Sequence, residues 1–183
     1  MAFDPRITNS EGSQVGSDFS TVSYGNSKGF IGEYERASHS LFSEPIAGHG
    51  KNMRRDYWMT ASRTLARLQS PDAVGRVAAK RALRRLDARR IPTTEVPVIF
   101  ESMQAAGLIR QLASLVNGYA VYREASFLAK KLGETIAAPS VTIIDDGRLS
   151  GRPRSKPLRG RGPATRRDTL GHAARGATFL PDS

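Results

Sequence analysis

The chain has no cysteine. That excludes disulfides and thiolate metal sites, and it suits a reducing compartment. Aromatic residues make up only 7% of the 183 residues, and apolar residues 39%, below the roughly 45–50% usual for globular domains. A core is possible but will not fill the whole length. No apolar run approaches the roughly 20 residues needed to cross a bilayer, so no membrane partner is expected. The first residues, Met1-Ala2-Phe3-Asp4-Pro5-Arg6, have neither a basic stretch nor an apolar segment, so no signal peptide is visible and a cytoplasmic location is expected. Histidine is scarce, with three in all, His39, His49 and His172.

What the chain does have is positive charge, +11 in all and unevenly placed. Of 28 Lys and Arg, eleven lie between Arg54 and Arg90 and nine between Arg148 and Arg175. Such concentrations can attract nucleic acid, acidic partners or anionic surfaces. They equally describe a solvated helix face followed by an irregular basic tail.

The pattern along the chain is α+β. Residues 18–24 alternate polar and apolar, as a half-buried strand does. Gly25-Asn26-Ser27-Lys28-Gly29 is turn chemistry, and 30–34 restarts a strand. Residues 38–46 and 53–60 read as two more, completing an antiparallel meander. A basic amphipathic helix is expected over 70–86, with Ser70 as N-cap and Pro71 in the first turn. Val74, Val77, Ala78, Ala82 and Leu86 form its apolar stripe, and Arg76, Lys80, Arg81, Arg84 and Arg85 lie around the rest in solvent. Ile91-Pro92 is expected to end it. A short strand over 96–100, a buried helix over 102–116 closed by Asn117-Gly118, a helix over 119–132 and a strand over 141–144 follow. Asp145-Asp146-Gly147 turns the chain. Beyond Leu149 the sequence is rich in Gly, Pro, Arg and Ser, and no stable packing is expected for 150–167.

Several stretches, in order, resemble the TldD/PmbA family. They are Asp4-Pro5-Arg6-Ile7-Thr8-Asn9-Ser10-Glu11-Gly12, Arg55-Asp56-Tyr57-Trp58, Ser70-Pro71-Asp72-Ala73-Val74-Gly75, Ala88-Arg89-Arg90-Ile91-Pro92-Thr93, Val96-Pro97-Val98, Tyr122-Arg123-Glu124-Ala125-Ser126-Phe127-Leu128 and Asp145-Asp146-Gly147. The resemblance covers roughly residues 4–149. It implies a central region over 1–90, the start of a C-terminal domain over 91–149 and an irregular basic tail over 150–183. It also implies an internal fragment, with further domains on either side in the family. After residue 150 acids of the family pattern give way to arginines, through a frame error or through divergence toward a basic tail.

The family's peptidase-type subunit carries His-Glu-x-x-x-His on a helix, ligating zinc and supplying a general base. The corresponding positions here are near Leu108, Ile109 and Ala113, with Arg110 among them. The resemblance is therefore to the TldE/PmbA type. It implies no catalytic or metal residue and no cofactor in this chain, zinc in a TldD-like partner, and peptides or unfolded proteins as substrates.

Other residues invite chemistry. His39 and His49 could form a two-histidine site across a hairpin, or be ordinary surface histidines. Asp145-Asp146 could be a carboxylate pair for a metal, or a turn. Ser20, Ser23 and Ser38 lack the Gly-x-Ser-x-Gly elbow of a hydrolase, and Gly48-His49-Gly50 lacks the lysine spacing of a phosphate loop. Tyr57 and Trp58 beside Arg54 and Arg55 could stack on bases or cover a core. The competing function is thus a basic nucleic-acid-binding module, and a third possibility is a non-functional gene fragment.

Overall fold

The computed structural model describes residues 3–152, 154–158, 164–172, 175–176 and 180. They form two compact units, one of residues 1–93 and 150–154, the other of 94–149 and 155–183. The architecture is α+β with antiparallel sheets throughout.

The first unit is built on one long hairpin. Strands β1 (Ile7–Gly25) and β2 (Ile31–Ala47) pair continuously from Ile7↔Ala47 to Gly25↔Ile31. The turn follows from its residues. Asn26 Oδ1 accepts the amides of Lys28 and Phe30 (3.0 and 3.2 Å), and Gly29 takes φ +82°, the left-handed step of a three-residue loop with a bulge. β3 (Arg54–Arg55) and β4 (Trp58–Ser62) pair with the other side of β2, so β2 is central and β1 is an edge.

The strand readings need correction in extent. β1 starts at Ile7 rather than 18, and β2 runs unbroken through residues 35–37, where a break was expected. Cross-strand polar pairs carry the ladder where apolar alternation is missing: Arg36 Nε donates to Ser20 Oγ (2.7 Å), and Ser23 Oγ to Glu33 Oε2 (2.7 Å). The strand expected over 53–60 is split at Asp56, whose Oδ1 turns back to accept the Tyr57 amide (2.8 Å).

Helix α1 (Pro71–Leu83) begins as expected, with Ser70 Oγ accepting the Ala73 amide (3.2 Å). It buries Val74, Ala78, Ala79 and Ala82, and with Ile7 and Ala47 the last two form the unit's core, flanked by Leu83 and Leu86. Burying Val74 contributes roughly 2 kcal/mol. The helix stops well before Ile91-Pro92: turns follow it and Asp87 enters the left-handed region at φ +56°. Gly48 ends β2 at φ +81°, and a Cβ there would stand 2.7 Å from the Asn52 carbonyl oxygen. Only glycine fits.

The second unit is looser. Helix α2 (Ser102–Leu115) forms, yet none of its residues is buried. The expectation of a buried helix is overturned, since an apolar face on all sides still requires neighbours to cover it, and Leu108 and Ile109 stay half exposed. Asn117 is not a C-cap but the N-cap of α3 (Gly118–Tyr122), its Oδ1 accepting the Tyr119 amide (2.9 Å). α3 is five residues long, not the helix expected over 119–132, because Glu124 turns left-handed at φ +52°. Residues 96–100 join no ladder, and Val96, Val98, Ile99 and Phe100 are exposed, so the strand expected there is absent. β5 (Ile143–Asp146), β6 (Arg167–His172) and β7 (Arg175–Gly176) make a small sheet.

Leu170 on β6 packs with Val116 and Leu128, against Leu112, Leu115, Ile136, Ile143 and Leu180. Part of the stretch expected to be irregular is therefore ordered. Before β6, the Lys156 amide donates to the Gly147 carbonyl (3.1 Å) and the Thr165 amide to the Pro157 carbonyl (2.9 Å). Residues 159–163, within the stretch read as unpacked, lie outside the described residues.

Candidate functional site

α2 is the helix on which the family motif would fall. Leu108, Ile109 and Ala113 offer no lone pair to a metal and no group to move a proton, and Arg110 adds a cation beside them. The residues at these positions do not fit zinc. Among the described residues, no group of three or more His, Cys, Asp and Glu could hold a metal ion.

His39 and His49 are not brought together. His39 is 4% exposed in mid-β2, directly opposite Ser17, whose hydroxyl lies 2.9 Å from Nδ1; the Phe19 ring meets it edge-on at 5.3 Å. His49 lies beyond the end of β2, about ten residues and roughly 30 Å of strand away. The two-histidine site is thus excluded by the register. His172 ends β6. The Ser17–His39 contact was not legible in the sequence, because it depends on the pairing register.

Asp145 and Asp146 are not a turn but the end of β5, where adjacent side chains point to opposite faces. Asp146 is engaged by Arg148 through its amide and Nε (both 3.1 Å) and Nη2 (3.3 Å), and the side-chain hydrogen bond holds its carboxyl below the ordinary carboxylate range. They do not form a carboxylate pair. Ser20 and Ser23 are held by Arg36 and Glu33, in cross-strand pairs rather than beside a base.

The aromatic and basic cluster is partly engaged within the fold, with Arg55 and Tyr57 exposed. Trp58 Nε1 donates to Gln69 Oε1 (2.8 Å) and the Arg81 guanidinium sits 5.4 Å over its ring, while Tyr57 packs on Phe42 at 5.5 Å. Arg81, expected in solvent, is 8% exposed and pairs with the equally buried Asp56 (3.3 Å), which also faces Arg85 at 3.8 Å. Arg55 meets Glu11 and Glu44. The Trp58 ring thus has Arg81 over one face, and Tyr57 packs beside Phe42 within the fold.

An α+β chain in two units, with a hairpin-and-helix first part and a second part whose family-motif helix carries aliphatic side chains, fits one class. The profile of the PmbA/TldA metallopeptidase central domain matches residues 1–86, and that of the C-terminal domain matches residues 93–172. The chain belongs to the TldD/PmbA family. It is 38% identical over 168 residues to the metalloprotease PmbA of Escherichia coli O157:H7, covering 91% of this chain and 37% of that protein. It is 36% identical over 162 residues to a PmbA homologue of Haemophilus influenzae, covering 88% and 36%. A crystal structure from Bacteroides thetaiotaomicron, described as that of a candidate modulator of DNA gyrase, superposes at TM-score 0.90 with 26% identity, covering 98% of this chain and 41% of that one. TldE from Thermococcus kodakarensis shares the fold at TM-score 0.73 with 20% identity, covering 93% and 38%. The chain thus spans little more than a third of the length of the curated relatives it matches.

Proposed function

We propose that this chain is a TldE/PmbA-type, non-catalytic component of a TldD/PmbA-type metallopeptidase complex. The observation that carries the reading is α2, with Leu108, Ile109 and Ala113 where the family's peptidase type has its zinc motif. Zinc and the general base then belong to a TldD-like partner, and the complex degrades or trims peptides and unfolded proteins in the cytoplasm. Residues 1–90 correspond to the central region, 91–149 to the start of the C-terminal domain and 150–183 to a basic tail. The names of the relatives support a proteolytic context, and no helix among the described residues is long and apolar enough to cross a membrane.

The test is metal analysis and peptidase assay of the purified chain, alone and with a TldD-like subunit. The chain alone is expected to hold no stoichiometric zinc and cleave no peptide. One equivalent of tightly bound zinc, or cleavage without the second subunit, overturns the assignment.

A further inference from the structure

The step from Asn117 to Gly118 carries an inference that goes beyond the proposed function and does not rest on it. The chain's asparagines are Asn9, Asn26, Asn52 and Asn117, and only Asn117 precedes a glycine. Glycine has no Cβ, so its nitrogen meets the least crowding as it approaches the preceding carboxamide. That favours an intramolecular reaction. The deprotonated Gly118 nitrogen attacks Asn117 Cγ, the new C–N bond closes a succinimide ring, and the side-chain nitrogen takes up a proton and leaves as ammonia. Water then opens the ring at either carbonyl, giving aspartate or isoaspartate.

The fold holds this reaction back at the atom that starts it. The Gly118 amide donates to the Leu180 carbonyl at 2.7 Å, so its proton is withheld from solvent. The Asn117 carboxamide is engaged as well: as N-cap of α3, its Oδ1 accepts the Tyr119 amide at 2.9 Å. Leu180 closes the clasp from its own side, its amide donating to the Val116 carbonyl at 2.8 Å. Val116 is buried in the small core of the second unit, and Leu180 packs against that core.

We propose that Asn117-Gly118 is a deamidation site gated by the Leu180 clasp, reacting only in molecules whose second unit has opened locally. The free energy of such opening follows buried apolar contact, which is scant there. The two products differ in consequence. Aspartate keeps an oxygen for the Tyr119 amide, since Asp caps a helix as well as Asn does. Isoaspartate routes the backbone through the side-chain carbons and adds a methylene between the Cα of residue 117 and the Gly118 nitrogen. That moves the Gly118 amide off Leu180 and uncouples Leu180 from Val116. An opening that reacts in this way is fixed covalently, and the chain keeps a record of it.

Ageing the purified chain at neutral pH beside a synthetic peptide of residues 113–122 tests this. Conversion is located by fragment masses, isoaspartate by its altered fragmentation, and Gly118 amide exchange is measured on both. One nitrogen must be released for both processes, so the fold should slow them by the same factor, within about threefold. Asn117 should convert before Asn9, Asn26 and Asn52. Leu180→Asp, which loosens the clasp, should speed conversion by about tenfold or more. Gly118→Ala should slow it in chain and peptide alike. In the isoaspartyl form the Gly118 and Leu180 amides should have lost their protection. Circular dichroism identifies any variant that misfolds, and the paired rates of the unaltered chain then decide. A Gly118 amide that exchanges as freely as in the peptide overturns the gate, as does conversion that does not follow its exchange. Earlier conversion at another asparagine overturns the site, and an isoaspartyl form that keeps both amides protected overturns the covalent record.

Discussion

Arg81 illustrates how much one side chain's surroundings decide. It sits on the basic flank of α1, but its guanidinium is enclosed between the Asp56 carboxylate and the Trp58 ring. Replacing it leaves the buried Asp56 with the Tyr57 amide and, as an ion pair, the longer contact to the half-exposed Arg85. Breaking one partner of a buried pair costs about 3 kcal/mol or more. Arg81→Ala should therefore lower stability by that order in urea unfolding, whereas Arg84→Ala, at an exposed position, should change it by less than about 0.5 kcal/mol. Equal effects would mean the pair does not form. At the surface, Asp4 gives a pH-dependent counterpart. Hydrogen bonds from the Arg6 side chain and amide pull its carboxyl down to about 2. A depressed carboxyl adds stability above its unfolded value, near 3.8, and loses it as the pH falls toward 2. Carboxyl NMR should show that midpoint, and Arg6→Ala, which removes the side-chain hydrogen bonds and keeps the amide, should raise it.

Among the elements, α1 was the most legible in the sequence, because cap, proline and apolar stripe all act through residues no more than a turn from the next. Its core face can be tested directly. Val74 is 1% exposed, so Val74→Asp places an unpaired charge in the core and should cost about 4 kcal/mol by denaturant unfolding. Val77, placed on the same stripe from spacing alone, is only half buried, and Val77→Asp should cost clearly less. A costlier change at Val77 would put the helix on a different face. The hairpin turn was legible for the same local reason, through Asn26 and Gly29. Elements whose shape depends on distant partners were not. β1 is polar over residues 8–14 and forms because β2 lies beside it; 96–100 has strand-like residues but no neighbour to pair with. β6 is set by Ile143–Asp146 across twenty intervening residues, a distance at which apolar spacing says nothing. The site divides in the same way. Aliphatic residues on α2 could be read directly, but the Ser17–His39 contact and the burial of Arg81 arise from register and packing.

At the scale of the whole chain, the two units differ in how well each can hold itself. The first has a helix buried along one face, a four-stranded sheet and a buried ion pair. Among the described residues the second has three buried apolar ones, Val116, Leu128 and Leu170, and a 14-residue helix that buries none. Around that helix Ile99 is 96% exposed, and Val96, Val98 and Phe100 are more than half exposed. Opening free energy follows buried apolar contact, so amides in residues 102–122 should exchange faster than those in α1 and in residues 39–47 of β2. The same exposed apolar surface should bind a hydrophobic dye under native conditions, as contiguous apolar patches do. A covering partner would be read in both signals at once: adding a TldD-like subunit that docks there should slow exchange across α2 and displace the dye. If α2 in the isolated chain exchanges as slowly as α1, its aliphatic face is already covered, and the weakness assigned to the second unit is wrong.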